Sequence, residues 1–379
     1  MRPIGDIAKN PILEKGLKPE LDNHFLTLSK QDHRFESYLE GTFSDKQRAL
    51  PVDSLHVGTN DEKVTFRIIS VDEVKFPHWL QVLLRGFRPL LLPLTLGPLV
   101  TVLIFILASG WSPNWWIVVS SALAVFCLHG GAFLLNDYTD HLAGGDRLNR
   151  RSGSQIIQRG WIPAYRVKVW AMVFTTLGVL FGLPTLLTRT WLILWVGVLA
   201  ILLVLGFSYR GKGFKYLGVG SFLIFLGMGP LLTIGFCLAA VGKLPPFVLT
   251  VGSLYGIVAS LCIQLKNMES LLADSQAQSG TLVSRLGFEK SKQVMVGYLI
   301  LLVVMLSVLL YLEQMGGWQL IVFVPFLGKV AQLFKRLHLV RSPLSSQLIG
   351  LWHEGLSLHL FMGIGLNILL FLVWQGQWV

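Results

Sequence analysis

Val294-Met295-Val296-Gly297-Tyr298-Leu299-Ile300-Leu301-Leu302-Val303-Val304-Met305-Leu306-Ser307-Val308-Leu309-Leu310-Tyr311-Leu312 runs for nineteen residues without a charged side chain. As a helix it would be roughly 28 Å long, which matches the ~30 Å hydrocarbon layer of a bilayer. A second run, 191–207, is also free of charge. The chain as a whole has 379 residues, 53% hydrophobic and 14% charged, with mean hydropathy +0.61. A soluble domain carries about 25% charged residues. These features specify an all-α, polytopic integral membrane protein. Cys127, Cys237 and Cys262 each sit in an apolar segment at no metal-like spacing, and read as small packing residues.

Working outward, nine stretches are predicted to span the membrane: 91–108, 115–135, 167–187, 191–207, 216–241, 246–265, 294–312, 318–334 and 356–374. Ahead of them, residues 1–78 have the charge density of a soluble region, while 79–379 form the transmembrane part. Within 1–78, only Val64-Thr65-Phe66-Arg67-Ile68-Ile69 alternates like a strand; the rest reads as loop or short helix, and its function stays open. Docking a soluble partner enzyme and capping the membrane part are both compatible with it.

The net charge of +11 is distributed unevenly. One set of connections holds Arg147, Arg150, Arg151, Arg159, Arg166 and Lys168, then Arg210, Lys212 and Lys215, then Lys266, Arg285, Lys290 and Lys292, then Lys335, Arg336 and Arg341. The alternate connections hold Arg189 and Lys243. This asymmetry follows the positive-inside rule. It predicts a cytoplasmic N-terminus, and the cations further favour anionic lipid; a nucleic-acid partner is disfavoured. The expected location is a bacterial inner membrane.

The chemistry concentrates in Asn136-Asp137-Tyr138-Thr139-Asp140-His141-Leu142-Ala143-Gly144-Gly145-Asp146. On a helix Asn136 and Asp140 share a face, and Asp137 lies beside Asp140. Gly144-Gly145 can end the helix and let Asp146 curl back. Acids at a helix C-terminus oppose the macrodipole, so they call for a counter-ion. An all-oxygen cluster suits Mg²⁺ held together with substrate phosphate oxygens. Arg147, Arg150 and Arg151 follow directly, where they could contact a polyanion. His129, deep in the second span, reads as a satisfied core histidine.

Asn136-Asp137-x-x-Asp140 with Asp146 downstream resembles the first aspartate-rich motif of the UbiA superfamily of intramembrane prenyltransferases. Ser152-Gly153-Ser154…Gly160, Arg88-Pro89 with Pro93-Leu94-Thr95-Leu96-Gly97-Pro98, Tyr209-Arg210-Gly211…Tyr216-Leu217-Gly218-Val219-Gly220, Gly229-Pro230 and Thr281-Leu282-Val283-Ser284-Arg285-Leu286-Gly287 are similar to the branch that prenylates 1,4-dihydroxy-2-naphthoate in menaquinone biosynthesis. The resemblance covers 85–379. It implies a bundle of nine helices around a central cavity and Mg²⁺-dependent transfer from a prenyl diphosphate to an aromatic acceptor. It also implies a catalytic set of Asn136, Asp137, Asp140, Asp146 and Asp274. Arg147, Arg150, Arg151, Arg210 and Lys212 would contact the diphosphate, and Asp137, Asp140, Asp146, Asp274 and Glu269 would hold metal.

The second motif departs from the family's pattern. Its second acid falls on Asp274, but its first falls on Ser270, and the family's basic residue there falls on Ser279. Glu269 is adjacent, yet one residue rotates a side chain by about 100° around the helix. Two accounts follow: an enzyme working with fewer ligands, or a relative that binds isoprenoid or quinone without turnover. A transporter is disfavoured, because the ionisable residues gather at one membrane face and not at the midplane.

Overall fold

The computed structural model describes residues 25–149, 152–188, 191–209, 213–313 and 317–374. The chain begins with β1 (Phe25–Ser29), α1 (Phe35–Glu40), β2 (Gln47–Leu55) and β3 (Lys63–Ser70). The strands form an antiparallel sheet in the order β1-β3-β2. β3 alternates as expected, with Val64 and Phe66 buried and Lys63 and Arg67 exposed. The two further strands correct the reading of this region as loop or short helix. β1 is only five residues long, and β2 carries Pro51 and Asp53, which argue against a strand. The sheet accommodates them at an irregularity in register between Pro51 and Asp53.

The helices follow: α2 (Trp79–Phe87), α3 (Pro93–Ala108), α4 (Trp115–Ala143), α5 (Gly145–Leu148), α6 (Ala164–Thr188), α7 (Leu192–Phe207), α8 (Gly220–Met228), α9 (Pro230–Val241), α10 (Pro246–Glu269), α11 (Leu271–Gln276), α12 (Leu282–Leu286), α13 (Phe288–Leu312), α14 (Val324–Leu339) and α15 (Trp352–Trp374). Among the described residues, six helical segments are long and apolar enough to cross a bilayer. The α2–α3 pair, bent by 62°, would make a seventh, and α7 is a shorter apolar helix. Each of the nine stretches expected from sequence falls largely on helix. The protein is therefore an integral, multi-pass membrane protein, mostly helical.

The outward faces agree. Leu194, Trp195, Val198 and Leu202 on α7, and Ile300, Val304 and Val308 on α13, are all exposed. Apolar surface this continuous is foreign to a water-facing protein and suits lipid. Trp115, Trp116 and Trp191 stand exposed at helix starts, as an interfacial aromatic belt requires. α10 is the buried centre of the bundle: Leu254, Tyr255, Val258, Leu261 and Leu265 have no exposed surface, and they pack with α13, α14 and α15.

The sheet is not set apart from this bundle. Leu28, Phe35, Leu39, Val64 and Phe66 join Phe87, Leu134, Tyr138, Leu142, Ile156 and Val167 in one apolar cluster. His141 Nε2 lies 2.9 Å from the Leu39 carbonyl oxygen, and the Tyr138 hydroxyl donates to Glu40 Oε1 at 2.9 Å. The sheet thus rests on the end of α4 that carries the acidic motif.

Candidate active site

α4 starts on Asn114, whose side chain accepts from the Ile117 N–H, and ends on Gly144 at φ +92°. That left-handed turn is open to glycine at little cost. It reverses the chain so that Asp146, on α5, faces back toward Asp140. Gly153 completes the fit, since a Cβ there would fall 2.3 Å from Asp146 Oδ2.

Asn136 and Asp140 act as one unit. Asn136 Nδ2 donates to Asp140 Oδ2 at 2.8 Å, and Lys215 Nζ donates to Asn136 Oδ1 at 2.8 Å. Lys215 also pairs closely with Asp140 Oδ1, to which the Tyr216 hydroxyl donates at 2.9 Å. Asp274 sits across the cavity on α11, and Ser279 and Thr281 complete that rim.

Asp137 lies differently. It is buried behind the cavity wall, tightly paired with Arg88 and accepting from the Ser154 N–H at 3.3 Å. Arg88, at φ +51° on the C-cap of α2, itself faces the cavity. Asp137 therefore anchors a cation, and is absent from the cavity lining.

Two further residues expected at the site lie off the cavity. Arg147 is turned away: its guanidinium donates to Glu62 Oε1 at 2.6 Å, to Ser54 Oγ at 3.1 Å and to the His141 carbonyl at 2.9 Å. Glu269 accepts from the Gly350 N–H at 3.2 Å and does not line the cavity. Its one-residue offset from Ser270 turns it about 100° around the helix axis, off the cavity. Ser270 itself lines the cavity and accepts from Asn149 Nδ2 at 3.1 Å. Arg150, Arg151, Arg210 and Lys212 lie outside the described residues.

Sequence reasoning missed Arg88, Lys215, Tyr216 and Lys266 as site residues. Arg88 entered only through its place before Pro89, and the lysines looked like topology charges. Lys266 projects from the last turn of α10 into the cavity, and among the described residues no carboxylate pairs with it.

The cavity encloses about 620 Å³. Its charged end holds Arg88, Lys215 and Lys266 against Asp140, Asp146 and Asp274. Its body is apolar, lined by residues such as Leu128, Val179, Leu183, Leu203 and Leu231. His129 lines it too, but its ring nitrogens are 2.7 Å from Thr95 Oγ1 and 3.1 Å from the Phe87 carbonyl oxygen. Both are satisfied, as expected of a core histidine.

The carboxylates test the fit to a divalent cation. Burial, then Asp140 and Asp137, push Asp146 up to about 8; burial, then Asp140, pushes Asp274 up to about 7. Asp146 Oδ1 is buried without a hydrogen-bond partner. Crowded, under-satisfied acids of this kind are stabilised by a cation. Among the described residues no three carboxyl, imidazole or thiol groups converge to enclose an ion alone. Mg²⁺ takes one or two carboxylates and completes its shell with water and substrate phosphates, so the donor type of Asp140, Asp146 and Asp274 fits it.

Residues 96–349 match the family model described as the UbiA prenyltransferase family. The chain belongs to that family. It is accordingly an enzyme of the prenyltransferase class. Its curated relatives include the 1,4-dihydroxy-2-naphthoate octaprenyltransferase of Escherichia coli, 23% identical over 273 residues, covering 68% of this chain and 85% of that protein. The protein of the same name from Mycobacterium tuberculosis is 26% identical, covering 59% and 75%. Among solved structures, a UbiA homologue from Archaeoglobus fulgidus bound to GPP and Mg²⁺ aligns with TM-score 0.55 at 14% identity, covering 76% of this chain and 99% of that one. A digeranylgeranylglyceryl phosphate synthase aligns with TM-score 0.53 at 18% identity, covering 78% and 99%. At these identities the structural likeness speaks to fold.

Proposed function

We propose that this UbiA-family chain transfers a prenyl group from a prenyl diphosphate to an aromatic acceptor, with 1,4-dihydroxy-2-naphthoate as the acceptor its relatives' names favour. The observation that carries this reading is the junction of three cations and three carboxylates at one end of an otherwise apolar cavity. Arg88, Lys215 and Lys266 take the charge that develops on the departing diphosphate. Such preorganised charge lowers the barrier to allylic ionisation. The apolar body receives the isoprenoid tail and keeps water from the allylic carbon. As the allylic C–O bond to diphosphate breaks, an aromatic carbon of the acceptor forms the new C–C bond there, then loses its proton, or CO₂ where it bears a carboxylate, to restore aromaticity. Mg²⁺, held by one or two of Asp140, Asp146 and Asp274 and otherwise by water and phosphate oxygens, would supply further neutralisation of the leaving group. Tyr216, its hydroxyl pushed up by burial and Asp140, stays protonated and orients Asp140.

The same reading has nine crossings, the sheet and acidic loops on the cytoplasmic side, and an inner-membrane location; the cation asymmetry supports that orientation. Purified protein given prenyl diphosphates of several lengths, Mg²⁺ and a panel of dihydroxylated aromatic acids should form a prenylated product. Absence of both product and Mg²⁺-dependent diphosphate binding would refute the proposal. Ser270 supports a second reading, binding without turnover. Binding without product across the acceptor panel would favour it.

A further inference from the structure

The sheet lies outside the family-matched residues, yet its β2–β3 turn reaches both acidic loops. The turn, residues 56–62, is held by its own bonds: the Thr59 N–H donates to the His56 carbonyl at 3.1 Å, and the Gly58 N–H to Glu62 Oε2 at 3.3 Å. Glu62 and Val57 are both buried. Glu62 Oε1 accepts from Arg147 Nη2 at 2.6 Å. Arg147 is the residue after Asp146, and its side chain is only 1% exposed. Val57 packs on Gly144, where a Cβ would fall 2.2 Å from Val57 Cγ1. On its other side the turn meets the loop after Asp274. A Cβ on Gly58 would lie 3.2 Å from the Ala277 carbonyl oxygen and 3.9 Å from Gln278 Cβ.

Beneath the turn the two loops touch directly through Asn149 Nδ2 and Ser270 Oγ, 3.1 Å apart. Where the family pattern has an acid, this chain has a hydroxyl that ties one loop to the other. A neutral hydrogen bond between loops contributes about 1 kcal/mol. That is too little on its own to fix the spacing of two loops that each carry a buried acid. A buried ion pair from a third element supplies the missing constraint, because leaving either partner alone in the interior costs about 3–5 kcal/mol.

We propose that the β2–β3 turn, acting through Glu62, braces the two acidic loops of the cavity mouth, so that the N-terminal sheet is a working part of the site. Glu62 is a positioning residue: it fixes Arg147, and through it the backbone that aims Asp146. Val57 and Gly58 set the spacing between the Asp146 and Asp274 loops. The inference rests on the proposed function for what the loops bind, but not for their being braced.

The test uses the full-length protein. Glu62→Ala/Arg147→Ala removes the ion pair without stranding a buried charge, since Lys30, 3.8 Å from Glu62 Oε2, is exposed, and Glu62→Asp keeps a carboxylate for Arg147. Hydrogen exchange is followed at 144–149 and 277–281, with 246–269 as internal reference. Mg²⁺ half-saturation and kcat are measured in parallel. The double variant should exchange at least tenfold faster in both loops, with the reference unchanged. Its Mg²⁺ half-saturation should rise at least tenfold while kcat at saturating Mg²⁺ falls less than threefold, and Glu62→Asp, which keeps the charge, should recover most of both. Val57→Ala, which leaves the ion pair, should loosen 144–149 and covers the case of ion-pair variants that do not fold. Parental exchange in both loops overturns the brace, and so do loosened loops with unchanged Mg²⁺ half-saturation. A parent protein with neither turnover nor Mg²⁺-dependent binding would sink the proposed function, while the exchange data still decide the brace.

Discussion

Asp137 and Asp140 are three residues apart and indistinguishable as metal ligands in the sequence; the structure predicts opposite consequences for removing them. In Asp137→Asn the buried Arg88 guanidinium loses its counter-ion. The two side chains are 3% and 12% exposed, so solvent replaces little of the lost interaction. Breaking such a pair costs about 3–5 kcal/mol, and the nearby Asp140 carboxylate places the loss at about the lower end. At roughly 2–4 °C per kcal/mol, the apparent Tm should fall by about 6–12 °C. Asp140→Asn behaves differently. The amide oxygen still accepts from Tyr216, and the lost Asn136 bond and weakened Lys215 contact are offset by relief of repulsion against Asp146 and Asp274. Its Tm should stay within about 2 °C of the parent. Its kcat/KM should fall by about 10² or more, the range for removing one preorganised charge partner, with Mg²⁺ half-saturation raised. Thermal denaturation in detergent and turnover across an Mg²⁺ titration separate the two. The reasoning fails if Asp137→Asn keeps its Tm and loses Mg²⁺ affinity as strongly as Asp140→Asn. That result would make Asp137 a ligand.

Ser270→Asp restores an acid four residues before Asp274, on the same cavity rim. It should tighten Mn²⁺ binding, read by electron paramagnetic resonance, and a weaker affinity than the parent would count against a site short of ligands. Asp146 and Asp274, raised from the ordinary 3.8 to about 8 and about 7, stay protonated in the folded protein at pH values where the unfolded chain has ionised. The metal-free protein should therefore lose stability from pH 5 to 8. Mg²⁺, which displaces those protons, should bind more tightly over the same range; flat Tm and affinity profiles would contradict the shifts. Gly182 and Gly197 line the cavity body with open space at the Cβ position. Leucine at either should shift preference toward shorter prenyl diphosphates without lowering Tm, as seen in a chain-length competition assay. Cysteines placed at Glu289 and Lys243 should label from opposite membrane faces; labelling from one face would break the proposed topology.

The membrane bundle was legible because its cause is local. An uncharged run such as 294–312 has few stable environments other than lipid, and α13 forms over it. Strands β1 and β2 were not legible, because their stability is borrowed. Leu28 gains by packing beside Phe66 and on the helical bundle, and the proline in β2 is tolerated only at a register irregularity. No window of sequence contains those partners. Composition changes at the expected boundary at 78, and one apolar cluster holds residues from both sides of it.

In the site, residue type was legible and direction was not. Spacing put Asp137 beside Asp140, but which one faces the cavity depends on Arg88, arriving from a helix about fifty residues earlier. Lys215 and Lys266 could not be told from topology charges, because the positive-inside rule and diphosphate binding ask for cations at the same membrane face. Arg147 illustrates the converse. Its place after Asp146 suggested a phosphate ligand, yet Glu62 takes it. Ser270 shows what a departure from pattern can and cannot say. Its identity signalled a lost acid. Its bond to Asn149 joins the Asp146 and Asp274 loops directly. A site built this way needs its loops held by protein before the ligand arrives, which is why the sheet and the missing carboxylate belong to one explanation.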